Sequence, residues 1–336
     1  MRHIDVFGGV VQVLMSDSKQ SKFILCRPFG GMNDTLVQIA KCYRYAQKHK
    51  RRLIIDTTRS GMYLPFDRFF EMAKPDPSVV LSLDDVLLAH LETLQCYPGV
   101  LQGRIGSYKT KNIRGSGGQR EVKSGVFTRL NFQSSAIEPL VVHECFGGGR
   151  HSKLILGLLC LREKVADEIN RRLATLPASY VAIHIRNTDM QTDYLEFFDV
   201  IRTQVEGHPI VLCSDDDDVK AQAIAIFGQE YIIGLRQIAG FGSKPLHSLG
   251  SKISDQTKFK IMLDALTDLM AMALSQKVYS PKNIDGKISG FGKLGMLLQT
   301  DKAIALQLLR RTTPIRMKIM HSVKVYLEWR HFRLAK

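Results

Sequence analysis

The sequence is poor in aromatic residues and in acids. Phe, Trp and Tyr make up 8% of its 336 residues, and Trp329 is the single tryptophan. Asp and Glu number 32 against 47 Lys and Arg, which gives a formal net charge of +15 at pH 7. A basic excess of this size favours anionic partners such as nucleotide phosphates, anionic lipids or nucleic acid, but it does not specify a fold.

Several patterns that would define a class of protein are missing. No run approaches the ~18 consecutive apolar residues that a membrane-spanning helix needs. The chain has no zinc-finger spacing, no RNA-binding aromatic signature and no solenoid repeat, so we expect no nucleic-acid partner. Its first residues lack a convincing signal-peptide cleavage site, which favours a cytoplasmic protein.

The six cysteines form no C-x-x-C pair. Cys160 and Cys213 stand among apolar neighbours, which is typical of buried thiols. We therefore predict free, buried cysteines rather than disulfides, as expected in a reducing compartment.

A βαβ unit is predicted near the start of the chain. Residues 22–27 have the pattern of a buried strand, and a glycine turn follows at 28–31. Apolar residues then recur at helical spacing up to Ala46, and 51–56 is the next strand. Asn33 and Asp34 are placed to cap the helix. This order predicts parallel strands with a right-handed crossover.

A second series of strands and helices begins at Tyr180. Strands are predicted at 180–185, 209–213, 231–233 and 277–279, and helices at 194–205, 218–227 and 258–274. Between the two series, 97–125 is predicted to be a long loop and 154–173 a single amphipathic helix. The two series predict an α/β fold with two Rossmann-like domains, at 1–165 and 178–292, and a helical segment at 293–336 that closes across them.

In open α/β sheets, ligands bind at the carboxyl ends of the strands. The segment His184-Ile-Arg-Asn-Thr-Asp189 stands at such an end, and alternation along the strand points His184 and Arg186 to the same side. A guanidinium there offers a planar, permanently charged fork for a diphosphate. The alternative is that Arg186 only pairs with a carboxylate such as Asp189.

The turn Phe29-Gly-Gly-Met-Asn-Asp34 lies between a strand and a helix. Gly30 and Gly31 let backbone amides approach a ligand, and the helix N-terminus favours an anion. The pattern is not G-x-G-x-x-G, so it does not specify a dinucleotide. An ordinary tight turn is the alternative.

Two acidic segments have a functional and a structural interpretation. The run from Asp215 to Asp218 is either a metal site of the D-x-D type or a strand-end loop whose last acids begin a helix. The strand–helix context favours the loop. Asp264 and Asp268 lie on one predicted helix before Tyr279-Ser280, and alone they indicate a core helix with two acids on one face.

In their order and placement, these motifs resemble the fucosyltransferases that use GDP-fucose, in particular the α1,6-fucosyltransferases of rhizobial nodulation and of mammalian N-glycan cores. The resemblance extends from about Phe23 to Gly295. It includes the opening turn and the strand 52–56. It also includes H-x-R-x-T-D, the S-D-D loop, and D-x-L-x-D-L…Y-S with Ser289-Gly-Phe291 after it.

The resemblance implies a GT-B fold, with two Rossmann-like domains facing a cleft and the donor in the C-terminal one. It implies inverting transfer of fucose from GDP-fucose to a glycan hydroxyl, with no metal and no cofactor. Arg186 would contact the diphosphate, His184 and Asp264 would hold the guanine, and Ser280 would lie near the phosphates.

Other positions follow from the same resemblance. Asp215, Gly30 and Gly31 would line the donor site, and we group Asn33 and Asp189 of the same motifs with them. Asp193 is the nearest carboxylate, by spacing, to the position where mammalian relatives have a candidate base. Asn187 stands where those relatives have a second Arg, so a Lys or Arg from elsewhere would have to compensate.

The segment from Arg310 to Lys336 is strongly basic, with Glu328 as its single acid. Its apolar residues recur at helical spacing, so it is either an interfacial helix on anionic lipid or a closing helix with a solvated basic face. The first interpretation would suit a glycolipid acceptor and peripheral contact with the inner membrane face. Rival functions are a metal-dependent transferase using another nucleotide sugar, a non-catalytic binding protein of the same fold, and a basic membrane- or nucleic-acid-binding protein.

Overall fold

The computed structural model describes residues 22–113, 118–237 and 253–311. Its strands are β1 (Phe23–Pro28), β2 (Arg52–Ile55), β3 (Phe70–Met72), β4 (Val79–Val80), β5 (Cys96–Tyr97), β6 (Thr110–Ile113), β7 (Gly118–Glu121), β8 (Leu140–Cys145), β9 (Leu159–Leu161), β10 (Val181–Ile185), β11 (Ile210–Ser214), β12 (Ile232–Ile233) and β13 (Val278–Tyr279). Its α-helices are α1 (Met32–Lys48), α2 (Asp85–Glu92), α3 (Ser152–Leu156), α4 (Glu163–Leu173), α5 (Tyr194–Val205), α6 (Asp217–Phe227), α7 (Asp255–Leu274), α8 (Gly290–Thr300) and α9 (Lys302–Leu308).

The first sheet has the order β4-β2-β1-β8-β5, and its neighbouring strands pair in parallel. β1 is buried along its whole length, as expected for a central strand covered on both faces. The predicted β1-α1-β2 unit is confirmed. The predicted cap is wrong, because α1 begins at Met32 with Gly31 as its N-cap and Asn33 and Asp34 fall inside the first turn.

The second sheet has the order β12-β11-β10-β13 and is also parallel. Every strand and helix predicted between Tyr180 and Tyr279 is present, with bounds that shift by at most three residues. These segments combine continuous apolar strands with amphipathic helices, so tertiary contacts and local preference agree.

The predicted single helix over 154–173 is wrong. α3 ends at Leu156, and residues 159–161 form the buried strand β9, which pairs antiparallel with β3. α4 then begins at Glu163. The apolar residues that suggested one helical stripe are buried instead by a strand pairing that is remote in sequence, which local periodicity cannot detect.

The predicted long loop over 97–125 is also partly wrong. β6 and β7 form an antiparallel hairpin within it. The segment is polar but not loose, because Glu121 is buried, accepts a hydrogen bond from the Ser124 amide at 2.7 Å and pairs with Arg104 at 2.9 Å. Ion pairing and the burial of Leu101, Ile105 and Tyr108 therefore order a region whose composition is typical of a loop.

One cluster of buried apolar side chains extends from the first sheet to the second, and includes Ile24, Leu53, Val211 and Leu266. α8 packs against both α1 and α7, so the described part of the C-terminal segment contacts both halves of the chain. Within the described ranges, no helix is long and apolar enough to cross a membrane.

All six cysteines are buried and free, as predicted. The basic segment's residues after Arg311, together with residues 1–21, lie outside the described residues.

Candidate functional site

A pocket of about 330 Å³ lies where the carboxyl ends of the two sheets meet. The first half of the chain contributes residues 30–34, which follow β1, and Gly61, which follows β2. The second half contributes His184, Arg186, Asp189, Met190, Cys213, Asp215, Arg236, Ile261, Met262, Ala265, Asp268, Gly290 and Phe291. Gly30, Gly31, Asn33, His184, Arg186, Asp189 and Asp215, all predicted from the sequence, are therefore brought together. The volume lies within the range of small-molecule sites.

Arg186 leaves the end of β10 and projects to the pocket. Its Nε donates to Asp189 Oδ1 at 2.5 Å and a terminal nitrogen donates to Asp189 Oδ2 at 2.8 Å. The pair is partly exposed, at 22% and 31% of the two side chains. Arg186 therefore pairs with Asp189 and also lines the pocket, with its guanidinium fixed in direction. Its contact with a diphosphate stays a prediction.

His184 lies deeper on the same strand and is 6% exposed. Its Nδ1 is 3.3 Å from Ser280 Oγ, and its ring is 5.4 Å from that of Phe291. Burial lowers its pKa to about 3, and Arg186 and Arg236 act in the same direction. The imidazole is therefore neutral at pH 7 and offers one donor and one acceptor.

The turn before α1 closes the pocket from the opposite side. Gly30 has φ +100°, a region that glycine enters without strain. A Cβ there would lie 2.9 Å from Asp34 Oδ2, and a Cβ on Gly148 would lie 3.1 Å from Asp34 Oδ1. The Asp34 carboxylate thus sits between two glycine turns. Gly31 caps α1 without a side-chain hydrogen bond, so the helix N-terminus meets the pocket as backbone.

The S-D-D loop after β11 forms hydrogen bonds with the loop after β10, which carries Arg186. Asp215 accepts hydrogen bonds from the Asn187 amide at 3.2 Å and from Thr188 Oγ at 2.6 Å. Asp216 accepts from Asn187 Nδ2 at 2.8 Å and also caps α6. The acidic run is therefore a strand-end loop whose last acids begin a helix, since α6 starts at Asp217 with Asp216 as its N-cap.

The two acids of α7 have different surroundings. Asp264 is not among the residues that line the pocket. Arg172 donates to its Oδ1 at 2.5 Å and the Gln237 amide donates to its Oδ2 at 3.1 Å. Asp268 lines the pocket, and Arg236 Nε donates to its Oδ2 at 3.2 Å.

Arg236 is a site residue that the sequence reasoning missed. It stands three residues after β12, so the rule that located Arg186 at a strand's carboxyl end could also have found it. Arg236 gives the pocket a second cation beside Arg186. Asn187, which stands where the mammalian relatives have a second Arg, is uncharged and does not supply one.

Two predicted residues lie beside the pocket rather than in it. Ser280 contacts His184 and borders a small adjoining cavity with Arg186 and Lys287. Asp193 is exposed and caps α5, where its Oδ1 accepts a hydrogen bond from the Glu196 amide at 3.0 Å. Among the described residues, no three His, Cys, Asp or Glu side chains are grouped to hold a metal ion.

Comparison with solved structures finds the same fold in fucosyltransferases. The chain is similar to the fucosyltransferase NodZ from Bradyrhizobium, with a TM-score of 0.56 and 17% identity over 83% of this chain and 93% of that one. It is also similar to NodZ alpha-1,6-fucosyltransferase soaked with GDP-fucose, with a TM-score of 0.54 and 18% identity over 83% and 93% of the two chains. A NodZ structure co-crystallized with GDP matches with a TM-score of 0.54 and 17% identity.

No protein-family model matches the chain, and no curated protein matches it. At these identities the similarity concerns the fold. It confirms the predicted α/β fold with parallel sheets, which this chain shares with the fucosyltransferase structures.

Proposed function

We propose that this protein is a glycosyltransferase that transfers fucose from GDP-fucose to a glycan hydroxyl. The observation that carries the proposal is the meeting of Arg186, His184 and the α1 N-terminus in one pocket at the carboxyl ends of both sheets. A diphosphate needs a fixed cation and backbone donors, and the pocket holds both. The fold is that of NodZ, whose structures are described with GDP and with GDP-fucose.

The mechanism assigned to this pocket is an inverting, metal-independent transfer on a GT-B scaffold. Negative charge develops on the leaving diphosphate as the glycosidic bond breaks, and Arg186 stabilises that charge. Asp189 holds the guanidinium in place beforehand, so little reorganisation accompanies the reaction. NodZ is an alpha-1,6-fucosyltransferase, which supports an α1,6 linkage as part of the proposal.

The proposed acceptor is an oligosaccharide or a glycolipid. The proposed location of the protein is the cytoplasm, in peripheral contact with the inner face of the membrane. The basic excess of the chain supports contact with anionic lipid. The residues that would make this contact lie after Arg311, outside the described residues.

Replacing Arg186 tests the diphosphate assignment. Arg186→Ala should lower the rate of GDP release from GDP-fucose, measured over a panel of oligosaccharide acceptors, by about 10²–10³-fold, the loss typical of removing one transition-state donor. Arg186→Lys is the matched variant, since it keeps the charge but loses the fork, and we expect an intermediate rate. Unchanged turnover in a folded Arg186→Ala protein would remove Arg186 from the site.

The acceptor hydroxyl also needs a base. Asp193 is the candidate from spacing, but it is exposed and caps α5. Asp34 lines the pocket and acts electrostatically on Arg186. We assign the role to Asp34 and expect Asp34→Asn to lower kcat by about 10²-fold or more. Asp193→Asn keeps a good N-cap, so it should leave both stability and kcat near wild type. The reverse pattern would return the base to Asp193.

A further inference from the structure

A glycine loop, residues 147–149, packs against the first two turns of α1 beside the pocket. The carbonyl of Gly147 accepts a hydrogen bond from Gln38 Nε2 at 2.6 Å. A Cβ on Gly148 would lie 3.1 Å from Asp34 Oδ1, so the loop backbone lies directly against the carboxylate that lines the pocket. Asp34 and Gln38 are four residues apart and share one face of the helix. Gln38 therefore fixes the loop that closes over Asp34.

Gln38 is held on its other side by His143 of β8. Both residues are 1% exposed, and His143 Nε2 is 3.0 Å from Gln38 Oε1. The other ring nitrogen, Nδ1, accepts a hydrogen bond from the Leu130 amide at 2.9 Å. Burial lowers the pKa of His143 to about 3, so the ring is neutral at pH 7 and carries a single proton.

The Leu130 amide, His143, Gln38 and the Gly147 carbonyl form a relay whose hydrogen bonds all point in one direction. A neutral imidazole whose Nδ1 accepts must carry its proton on Nε2. His143 therefore donates to Gln38 Oε1, and the Gln38 amide has to turn its nitrogen to the Gly147 carbonyl. The relay begins in the core and ends at the glycine loop, so it connects a buried ring to the wall of the pocket.

We infer that His143 is a positioning residue for Asp34 and acts through Gln38 and the glycine loop. The inference rests on the proposed function, in which Asp34 is the base for the acceptor hydroxyl. A base must lie within hydrogen-bond reach of the proton that it removes, and a displacement of about 1 Å can lower the rate about 10²-fold. When the relay is broken, the Gly147 carbonyl is released and Asp34 loses the surface that limits the direction of its carboxylate.

Two amide substitutions at position 143 separate the relay from the general effect of replacing a buried ring. The amide of Asn reaches as far as Nδ1, so His143→Asn still accepts from the Leu130 amide but leaves Gln38 without its donor. The amide of Gln reaches as far as Nε2, so His143→Gln keeps the donor to Gln38 and loses the bond to Leu130. Each variant loses one buried hydrogen bond, and we expect thermal melting to fall by a similar amount in both.

The two variants should differ in turnover. With GDP-fucose and a panel of oligosaccharide acceptors, kcat for GDP release should fall about 10- to 100-fold in His143→Asn and stay within about threefold of wild type in His143→Gln. The affinity for GDP, measured by calorimetry, should stay close to wild type in both, because Arg186 lies on the other sheet. Equal kcat values in the two variants, or a slower His143→Gln, would overturn the inference.

A double-mutant cycle tests whether His143 acts through Asp34. In an Asp34→Asn background, His143→Asn should lower kcat no further, because the group that it positions is already gone. Losses that multiply in the double variant would show that His143 affects turnover by another route, and the inference would then be wrong.

Gln38→Met covers the case in which His143→Asn does not fold. Met is unbranched and has a helix propensity close to that of Gln, but it makes neither hydrogen bond of the relay. Its kcat should fall as in His143→Asn, and again not in the Asp34→Asn background. A folded Gln38→Met protein with wild-type kcat would contradict the inference.

The outcomes also separate the inference from the function. A wild type that turns over GDP-fucose, with relay variants that keep its kcat, would refute the inference and leave the proposed function standing. Wild-type kcat in Asp34→Asn would refute the inference together with the choice of base, but not the diphosphate site at Arg186. A wild type that neither binds GDP nor releases it from GDP-fucose would refute both the function and the inference.

Discussion

At the scale of single residues, the charged side chains of the pocket hold one another in place. Arg186 is paired with Asp189, Arg236 with Asp268, and Asp215 with the loop that carries Arg186. A site that is fixed in this way binds charge without first having to order its own side chains. The sequence predicted most of these residues because they stand at strand ends. It missed the pairing of Arg236 with Asp268, which joins a loop and a helix that are 32 residues apart.

Two buried histidines give a prediction at this scale for stability against pH. Burial lowers the pKa of His143 to about 3 and that of His184 to about 3. Because both folded-state values lie below the unfolded value of about 6.5, their neutral forms stabilise the fold above that pH. The contribution is lost as the pH falls from about 6.5 toward 3, so the thermal midpoint should drop steadily over this range.

His143→Gln isolates one of these groups. The His143 ring accepts from the Leu130 amide at 2.9 Å and contacts Gln38 Oε1 at 3.0 Å, so the variant should melt lower at pH 7. It should also lose less of its stability than the wild type between pH 7 and pH 5, since one titrating group is gone. An equally steep fall in both proteins would show that His143 does not carry the dependence.

At the scale of elements, hydrophobic periodicity predicts the parallel strands and the helices between them, but it does not predict the structure of the segments that connect the two series. The local pattern predicts a helix where β9 lies, because the partner strand β3 is far away in the sequence. The composition of 97–125 predicts a loop because it is polar, although β6 and β7 pair within it, Leu101, Ile105 and Tyr108 are buried in an apolar cluster and Glu121 pairs with Arg104. Local patterns detect burial on one face, but they do not identify which distant segment supplies it.

Two glycines of α8 allow a prediction about this helix. A Cβ on Gly292 would lie 2.6 Å from Ser280 Oγ and 3.0 Å from His184 Nδ1, while one on Gly295 would lie 2.8 Å from the flexible Met272 side chain. Gly292→Ala should therefore weaken GDP binding about tenfold or more by displacing His184, whereas Gly295→Ala should leave it near wild type.

Thermal melting and calorimetry of the two variants side by side would check this. Both substitutions add one methyl group to the same helix, so a general effect on α8 would appear in both. Equal GDP affinities in Gly292→Ala and the wild type would mean that His184 and Ser280 are not held against α8 as described.

At the scale of the whole molecule, two parallel sheets present their carboxyl ends to one pocket, and one apolar cluster extends between them. The α/β class could be predicted because each sheet has its own strand–helix series. The division into domains at 1–165, 178–292 and 293–336 stays a prediction. The net charge of +15 is a property of the entire chain, and it favours an anionic donor and an anionic surface without choosing between them.

The most direct test of the proposed function is calorimetric titration of the protein with GDP-fucose, GDP-mannose and UDP-glucose, each with and without EDTA. We predict that both guanine nucleotides bind, that GDP-fucose binds with the same affinity in the chelator, and that UDP-glucose does not bind measurably. Binding that disappears with EDTA would favour a metal-dependent transferase. The absence of any guanine-nucleotide binding would contradict the proposed function.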